Sequence, residues 1–375
     1  MFINSFGVKL KFDISIELST IKDGSVILLA CLFFSKNNDR YILGRYLKAL
    51  KYRSIFQKNY LLLTSNNKGF LQTNNSIFFL EEKKHKSGFV SIIGNPNVGK
   101  STLMNALVGK ELSIITDKVQ TTRHRILGII NGDDFQMVLS DTPGVIKPAY
   151  EMQNSMMNFV KEAIVDADVL VYLVSPEELE LKDEVLFEKI KKTKGPLLIL
   201  INKIDLITQE ELEKSVAHWQ NVFPLASVYP ISALRGFFIS ELLNILIGIL
   251  PNSPAYFPKD QLTDKPERFF VNEAIREMIL KRYSKEIPYA VEVITEEFIE
   301  NGKIIKIRSI IMVERETQKG IIIGHKGSAL KRVGIGARKS LEKFFGKKIH
   351  LELYVKVSKN WRSSSEQLKR FGYNN

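Results

Sequence analysis

From residue 87 onward the chain alternates short apolar runs with stretches whose apolar residues recur at helical spacing. The runs are GFVSIIG (88–94), RILGII (125–130), FQMVLS (135–140), DVLVYLV (168–174), PLLILIN (196–202) and SVYPIS (227–232). Each is too short for a helix and is bounded by turn residues, which predicts strands buried on both faces. The second and third runs are joined by the turn Asn131-Gly132-Asp133-Asp134. Between the runs, Met152–Ala167, Asp183–Lys192, Gln209–Gln220 and Ile239–Leu250 read as helices. Alternating strands and helices predict an α/β domain over residues 87–250, a mainly parallel sheet with helices on both faces.

A Pro-rich, charged stretch, PNSPAYFPKDQLTDKPER (251–268), separates this domain from a second pattern. Over residues 269–375 the order is a helix (Val271–Tyr283), a hairpin (Ala290–Ile299 and Ile304–Glu314) turned at Asn301-Gly302, and a short helix toward Gly324. A longer helix (Ser328–Phe345), the strand IHLELYVKV and a last helix, SSSEQLKRFG, complete it. The order αββααβ with an Asn-Gly hairpin predicts a compact mixed domain. Residues 1–86 are different: rich in Lys, Asn, Ser and Phe, poor in acids and Pro, and without a sustained period. Three readings of this extension of unknown role stand open: an organelle transit peptide, a small accessory segment, or translated sequence upstream of the true start. The third requires a non-AUG start codon, because no methionine lies between Met1 and Met104.

The first run ends in Gly94-Asn95-Pro96-Asn97-Val98-Gly99-Lys100-Ser101-Thr102, a match to G-x-x-x-x-G-K-[ST] between a strand and a helix. Glycines there let backbone N–H groups curl round phosphate oxygens, and the helix adds its positive N-terminus. Lys100 would reach the β- and γ-phosphates and Ser101 would hold Mg²⁺. At the end of FQMVLS stands Asp141-Thr142-Pro143-Gly144, an acid placed to reach Mg²⁺ through water and a glycine whose N–H can meet a γ-phosphate. At the end of PLLILI stands Asn202-Lys203-Ile204-Asp205. The Asp205 carboxylate can accept both N1–H and N2–H of guanine, a donor pair that adenine lacks. Ser232-Ala233-Leu234 follows SVYPI, where a backbone amide could hold guanine O6. Between the first helix and second strand, Gln120-Thr121-Thr122-Arg123-His124-Arg125 supplies Thr122 as the switch threonine, a third Mg²⁺ ligand only when a γ-phosphate is present. Arg123, His124 and Arg125 read as anchors for that switch or as RNA contacts rather than as catalytic groups.

In the second domain Gly324-His325-Lys326-Gly327 lies at a junction of two helices. A G-x-x-G loop in an αββααβ frame is the form with which KH domains clamp about four nucleotides of backbone. Lys326, with Lys331 and Arg332 on the following helix, would attract the phosphates. The tail KNWRSSSEQLKRFGY could stack Trp361, Phe371 and Tyr373 on RNA or pack on the domain, and packing is the stronger expectation.

QTTRHRI, DTPG, NKID, EIPY and GHKG in one chain resemble the Era GTPases, over about Ser87 to Tyr373. The resemblance implies a P-loop G domain followed by an α+β KH domain of type II. It also implies binding of GTP and GDP with Mg²⁺, GTP hydrolysis, and binding of small-subunit (16S-type) rRNA in maturation of the 30S-type ribosomal subunit. It places Val145 where Ras-like enzymes carry the water-positioning glutamine, so hydrolysis is of the hydrophobic-substituted kind, slow or assisted. Asn97 matches an asparagine that in several relatives helps coordinate K⁺. Lys100, Thr122, Gly144 and Asn97 are then the catalytic set. Two other functions stay open: a GTPase partner of a tRNA-modification system, and an RNA chaperone that binds nucleotide without turnover.

Charge agrees with a polyanionic partner: 54 Lys and Arg against 41 Asp and Glu leave +13 on 375 residues. The same charge admits peripheral association with an anionic membrane surface, although no motif supports insertion. The longest apolar run, SVILLACLFF (25–34), is about half the roughly 20 residues that span a bilayer. The single cysteine, Cys31, excludes an internal disulfide framework and argues against a zinc cluster. The composition fits a reducing compartment: the cytoplasm, or an organelle matrix if the extension is a transit peptide. No stable oligomer is expected.

Overall fold

The computed structural model describes residues 5–9, 15–20, 26–31, 61–65, 68–73, 76–80, 85–193 and 195–373, and the chain forms two compact units, Met1–Lys84 and His85–Asn375. In the first unit, β1 (Ser5–Lys9), β2 (Ser15–Thr20) and β3 (Val26–Cys31) make an antiparallel three-stranded sheet, and β4 (Leu61–Ser65), β5 (Lys68–Thr73) and β6 (Ser76–Leu80) make another. The sequence shows no sustained period there because each strand is only five or six residues long. The apolar run 25–34 contributes β3.

The second unit opens on a six-stranded sheet of β7 (Lys86–Ile93), β8 (Ile126–Asn131), β9 (Phe135–Asp141), β10 (Val169–Val174), β11 (Leu197–Ile201) and β12 (Ser227–Pro230), in the order β12-β11-β10-β7-β9-β8. Every pairing is parallel except β8 with β9. The two-residue period of a strand sorts β10 between two cores. Val169, Val171 and Leu173 join Leu103, Met104 and Leu107 of α1 (Lys100–Val108) and Leu242 and Leu246 of α5 (Ile239–Ile249). Leu170, Tyr172 and Val174 join the opposite core, with α2 (Glu151–Asp166), α3 (Glu184–Lys191) and α4 (Gln209–Val222). Burial on both faces is why the run VLVYLV shows no alternation, and it leaves the carboxyl edge of the sheet as the open rim.

The second pattern folds in the expected order: α6 (Glu267–Arg282), β13 (Glu292–Asn301), β14 (Ile304–Val313), α7 (Glu316–Ile323), α8 (Ser328–Phe345), β15 (Lys348–Val357) and α9 (Ser365–Arg370). The sheet order is β13-β14-β15, antiparallel then parallel. Val271, Ile275 and Ile279 of α6 and Val333, Ala337 and Leu341 of α8, at helical spacing, pack on Val293, Ile307 and Ile311. α6 starts at Glu267, four residues before the apolar signal at Val271, because Pro266 sets the entry backbone and Glu267 faces the positive end of the helix.

The connecting stretch is not a loose linker. Ile129 N–H donates to Leu262 O at 2.8 Å and Leu127 N–H to Asp264 Oδ1 at 2.9 Å, laying the connection along β8. Gln136 holds Phe257 through both ends of its amide: its Oε1 accepts Phe257 N–H at 2.9 Å and its Nε2 donates to Phe257 O at 2.8 Å.

Candidate functional site

Glycine at position 99 is required sterically: at φ 101° a β-carbon would lie 2.3 Å from Asn202 Nδ2. Gly99 then begins α1 without any side-chain cap, so the first-turn N–H groups remain free for an anion. The loop is held from three sides. Asn202 Nδ2 donates to Val98 O at 2.7 Å, and Asn202 Oδ1 accepts Ala233 N–H at 2.9 Å, so one side chain joins the loop to the Ser232-Ala233-Leu234 segment. Asn95 Nδ2 donates to Glu180 O at 3.0 Å and its Oδ1 accepts Lys182 N–H at 3.0 Å. Val145 N–H donates to Gly94 O at 3.1 Å. The brace from residues 180–182 is not visible in the sequence, because nothing in LELKD marks it as a partner of a loop 85 residues away.

Lys100 is 6% exposed, and its Nζ donates to Gly94 O and Asn95 O at 3.1 and 2.8 Å. Burial pulls the ammonium down to about 8, partly offset by the carboxylates of Asp141 and Glu178. A cation with so little water around it gains strongly from a phosphate. Ser101 Oγ donates to Asp141 Oδ2 at 2.7 Å and lies 2.8 Å from Thr122 Oγ1, so the three expected metal-binding residues converge from α1, β9 and the switch loop. Asp141 Oδ1 is buried without a hydrogen-bond partner, and burial raises the carboxyl's pKa. An orphaned carboxylate oxygen beside two hydroxyls fits Mg²⁺ or its bound water, since hard cations take oxygen ligands.

A cleft of about 560 Å³ runs from this point to the base end. Its walls include Pro96, Asn97, Gly99, Lys100, Ser101, Thr102, Thr122, Gly144, Asn202, Lys203, Asp205, Ser232 and Leu234. Gly94, Asn95, Val98, Asp141, Thr142, Pro143, Val145 and Ala233 stand behind that lining. Thr142 Oγ1 is tied to Ile92 O at 2.8 Å, and the Val145 side chain is fully buried in the α2 core rather than in the cleft. At the base end Ser232 Oγ donates to Asp205 Oδ1 at 2.6 Å, and Arg235 Nε lies 3.7 Å from Asp205 Oδ2. Asn97 has φ 66°, a left-handed turn that asparagine tolerates, and its Nδ2 donates to Asp117 O at 2.8 Å across the cleft.

The switch loop is bolted to the second domain. Lys118 Nζ donates to Leu280 O and Tyr283 O, and Arg276 donates to Thr121 O. Arg123, 1% exposed, donates to Val291 O at 2.6 Å and Pro288 O at 3.0 Å and pairs with Glu292 at 3.3 Å. His124 is enclosed by the rings of Tyr373, Phe159 and Phe269. Arg125 faces the other way, to Ser140 at 2.7 Å and Asp166 at 2.5 Å. All three residues make anchoring contacts, and Arg123 has no surface left for RNA. The Pro288 and Val291 carbonyls that hold Arg123 lie 165 and 168 residues away, too far for any local signal.

In the second domain Gly324 (φ 69°) and Gly327 (φ 76°) bracket His325 and Lys326, and a β-carbon on Gly324 would lie 2.6 Å from Ala329 Cβ. Gly327 starts α8 without a side-chain cap, and His325, Lys326, Lys331 and Arg332 are exposed. Trp361 and Tyr373 of the tail are buried, at 0% and 2%, so the tail packs instead of presenting these rings to RNA.

Residues 89–203 match the family model described as a 50S ribosome-binding GTPase, and residues 286–362 match that of the KH domain. The chain is 41% identical to GTPase Era of Clostridium kluyveri over 290 residues, 77% of this chain and 99% of that protein. It is 42% identical to GTPase Era of Staphylococcus haemolyticus over 292 residues, 77% of this chain and 98% of that protein. A crystal structure of an Aquifex aeolicus Era variant bound to GDP and AlF4⁻ superposes with a TM-score of 0.74 at 36% identity, covering 77% of this chain and all of the other. Another, of Era with MgGDPNP and nucleotides 1506–1542 of 16S ribosomal RNA, gives 0.74 at 36% identity over 78% of this chain and all of the other. A cleft over a phosphate loop, a switch loop fixed to a KH domain, and this likeness along both domains have one explanation: the chain belongs to the Era family of GTPases.

Proposed function

We propose that the protein binds the 3′ region of small-subunit rRNA through its KH domain while GTP occupies the cleft, and that hydrolysis times its release from a maturing 30S-type subunit. The observation that carries this reading is the single segment 118–124, which lines the nucleotide cleft at one end and is fastened inside the KH domain at the other. A relative 36% identical holds MgGDPNP and an rRNA segment in one complex, which supports the two ligands acting together.

In this reading the phosphate loop and α1 N-terminus hold the phosphates, Lys100 balances the β- and γ-oxygens, and Asp205 selects guanine through two N–H bonds. Ser101, Thr122 and Asp141 would hold Mg²⁺, which would supply positive charge against that building on the phosphates. Val145 cannot orient a water, being apolar and buried in the core, so backbone N–H groups and cations supply most of the transition-state stabilisation. Asn97, whose Nδ2 is held by the Asp117 carbonyl, would offer its Oδ1 to a K⁺ beside the phosphates.

Single-turnover hydrolysis by the full chain, with and without an RNA of the small-subunit 3′ end and in K⁺ or Na⁺, tests these points. Faster turnover in K⁺ and an RNA-dependent rate are expected. Equal rates in both salts remove the K⁺ site, and failure to bind that RNA removes the rRNA reading.

A further inference from the structure

The chain's last described residues fold back between the switch loop, the DTPG loop and the KH domain. Trp361, Leu368 and Tyr373 share a core with Val145, Met152 and Met156, behind the DTPG loop. Tyr373 reaches furthest. Its hydroxyl donates to Glu292 Oε2 at 2.7 Å, and the same oxygen is 3.3 Å from Arg123. Its ring lies 4.4 Å from that of His124, centroid to centroid, and a backbone group of Gly372 hydrogen-bonds the imidazole. Tyr373 therefore holds both residues that follow Thr122, one by its ring and one through a carboxylate.

The Thr122 hydroxyl lies 2.8 Å from Ser101 Oγ and also hydrogen-bonds the Asp141 carboxylate. A loop hydroxyl is placed only as well as the backbone that carries it, and a misplacement of about 1 Å can cost 10²-fold in rate. Burial first, then the charges of Arg276, Lys265 and Arg123, lower the His124 pKa to about 3.

We propose that Tyr373 is a positioning residue for GTP hydrolysis, fixing Thr122 at the metal side of the cleft by clamping His124 and, through Glu292, Arg123. The proposal rests on the reading of Thr122 as a Mg²⁺ ligand, so Thr122→Ala is measured alongside. The full chain carrying Tyr373→Ala, Tyr373→Phe or Thr122→Ala is assayed for single-turnover GTP hydrolysis against Mg²⁺ concentration, and for GDP binding in EDTA.

With Tyr373→Ala the Mg²⁺ concentration at half-maximal rate should rise about tenfold, as for loss of one aromatic pair and one hydrogen bond. Metal-free GDP affinity should stay unchanged, and Tyr373→Phe, which keeps the ring on His124, should recover most of the loss. An unaltered Mg²⁺ response and rate in Tyr373→Ala overturn the proposal, as does a parallel loss of metal-free GDP binding, which would mark a merely structural role. Indifference of Thr122→Ala to Mg²⁺ would instead remove the reading beneath it. A sensitive Thr122→Ala beside an indifferent Tyr373→Ala rejects the role of Tyr373 alone.

Discussion

The protein uses the same local device twice, with opposite finish. Both Gly99 and Gly327 start a helix in a left-handed conformation without a side-chain cap, leaving N–H groups for phosphate. Around Gly99 the loop is buried and braced by Asn202, Asn95 and Val145, and its lysine is 6% exposed. Around Gly327, the side chains of His325 and Lys326 project into solvent and make no hydrogen bond or ion pair among the described residues. A pre-shaped, desolvated loop suits one phosphate chain held in one register. An open loop suits a polymer backbone, whose affinity comes from several exposed charges and is sensitive to salt.

If that contrast is right, the largest effect belongs to the closed site. Asp205→Asn removes an acceptor shared by two charge-assisted hydrogen bonds worth roughly 1.5–3 kcal/mol each, so GTP affinity should fall by about 10²-fold or more. Xanthine nucleotide, whose C2 carbonyl can accept from the new amide, should gain. Isothermal titration with both nucleotides measures this, and unchanged GTP affinity rejects the base-site assignment.

The open loop should respond more gently and separately. His325→Asp with Lys326→Asp puts two carboxylates among the RNA phosphates; affinity for single-stranded rRNA should fall about tenfold or more, with a flatter salt dependence as phosphate contacts are lost. GTP binding should persist. RNA binding as tight as the parent's at near-physiological salt would move the RNA site elsewhere.

The smallest effect sharpens the difference in solvation. Burial lowers the Lys100 pKa from its ordinary 10.5 to about 8, while a bound phosphate favours the ammonium and holds its pKa higher. Nucleotide affinity is then fully present below pH 8 and falls as pH rises through it, by at most tenfold per unit until the bound-state pKa is reached. GDP titrations between pH 7 and 9.5 should show this limb, and a flat profile would mean that the buried lysine keeps its charge unaided.

What could be read in advance follows from the range over which each signal acts. The phosphate loop, the DTPG segment with Asp141 and the NKID segment with Asp205 each rest on a few adjacent residues at the end of a strand, so side-chain chemistry and local period suffice to place them there. The brace of Asn95 on residues 180–182 and the lock of Arg123 on Pro288 and Val291 are contacts between distant segments. Neither segment carries an unusual residue, and only the fold pairs them. Trp361 and Tyr373 illustrate the ambiguity directly: an aromatic in a basic tail has the same composition whether it stacks on a base or fills a core, and the fully enclosed indole, donating to Ala290 O at 3.0 Å, decides for the core.

The connection between the domains, pinned to β8 by Ile129 and Leu127, also has a bearing on solubility. β8 is the outer strand of the sheet, and an outer strand with free backbone groups is a template for pairing with another chain. By occupying those groups the connection seals the edge with the chain's own backbone. A movement of the KH domain large enough to peel residues 262–264 away would unseal it, so the tether has little slack to give. Swings of the RNA-binding domain are then opposed by this tether, and a nick or insertion at 262–264 should show itself as aggregation before it shows as lost hydrolysis.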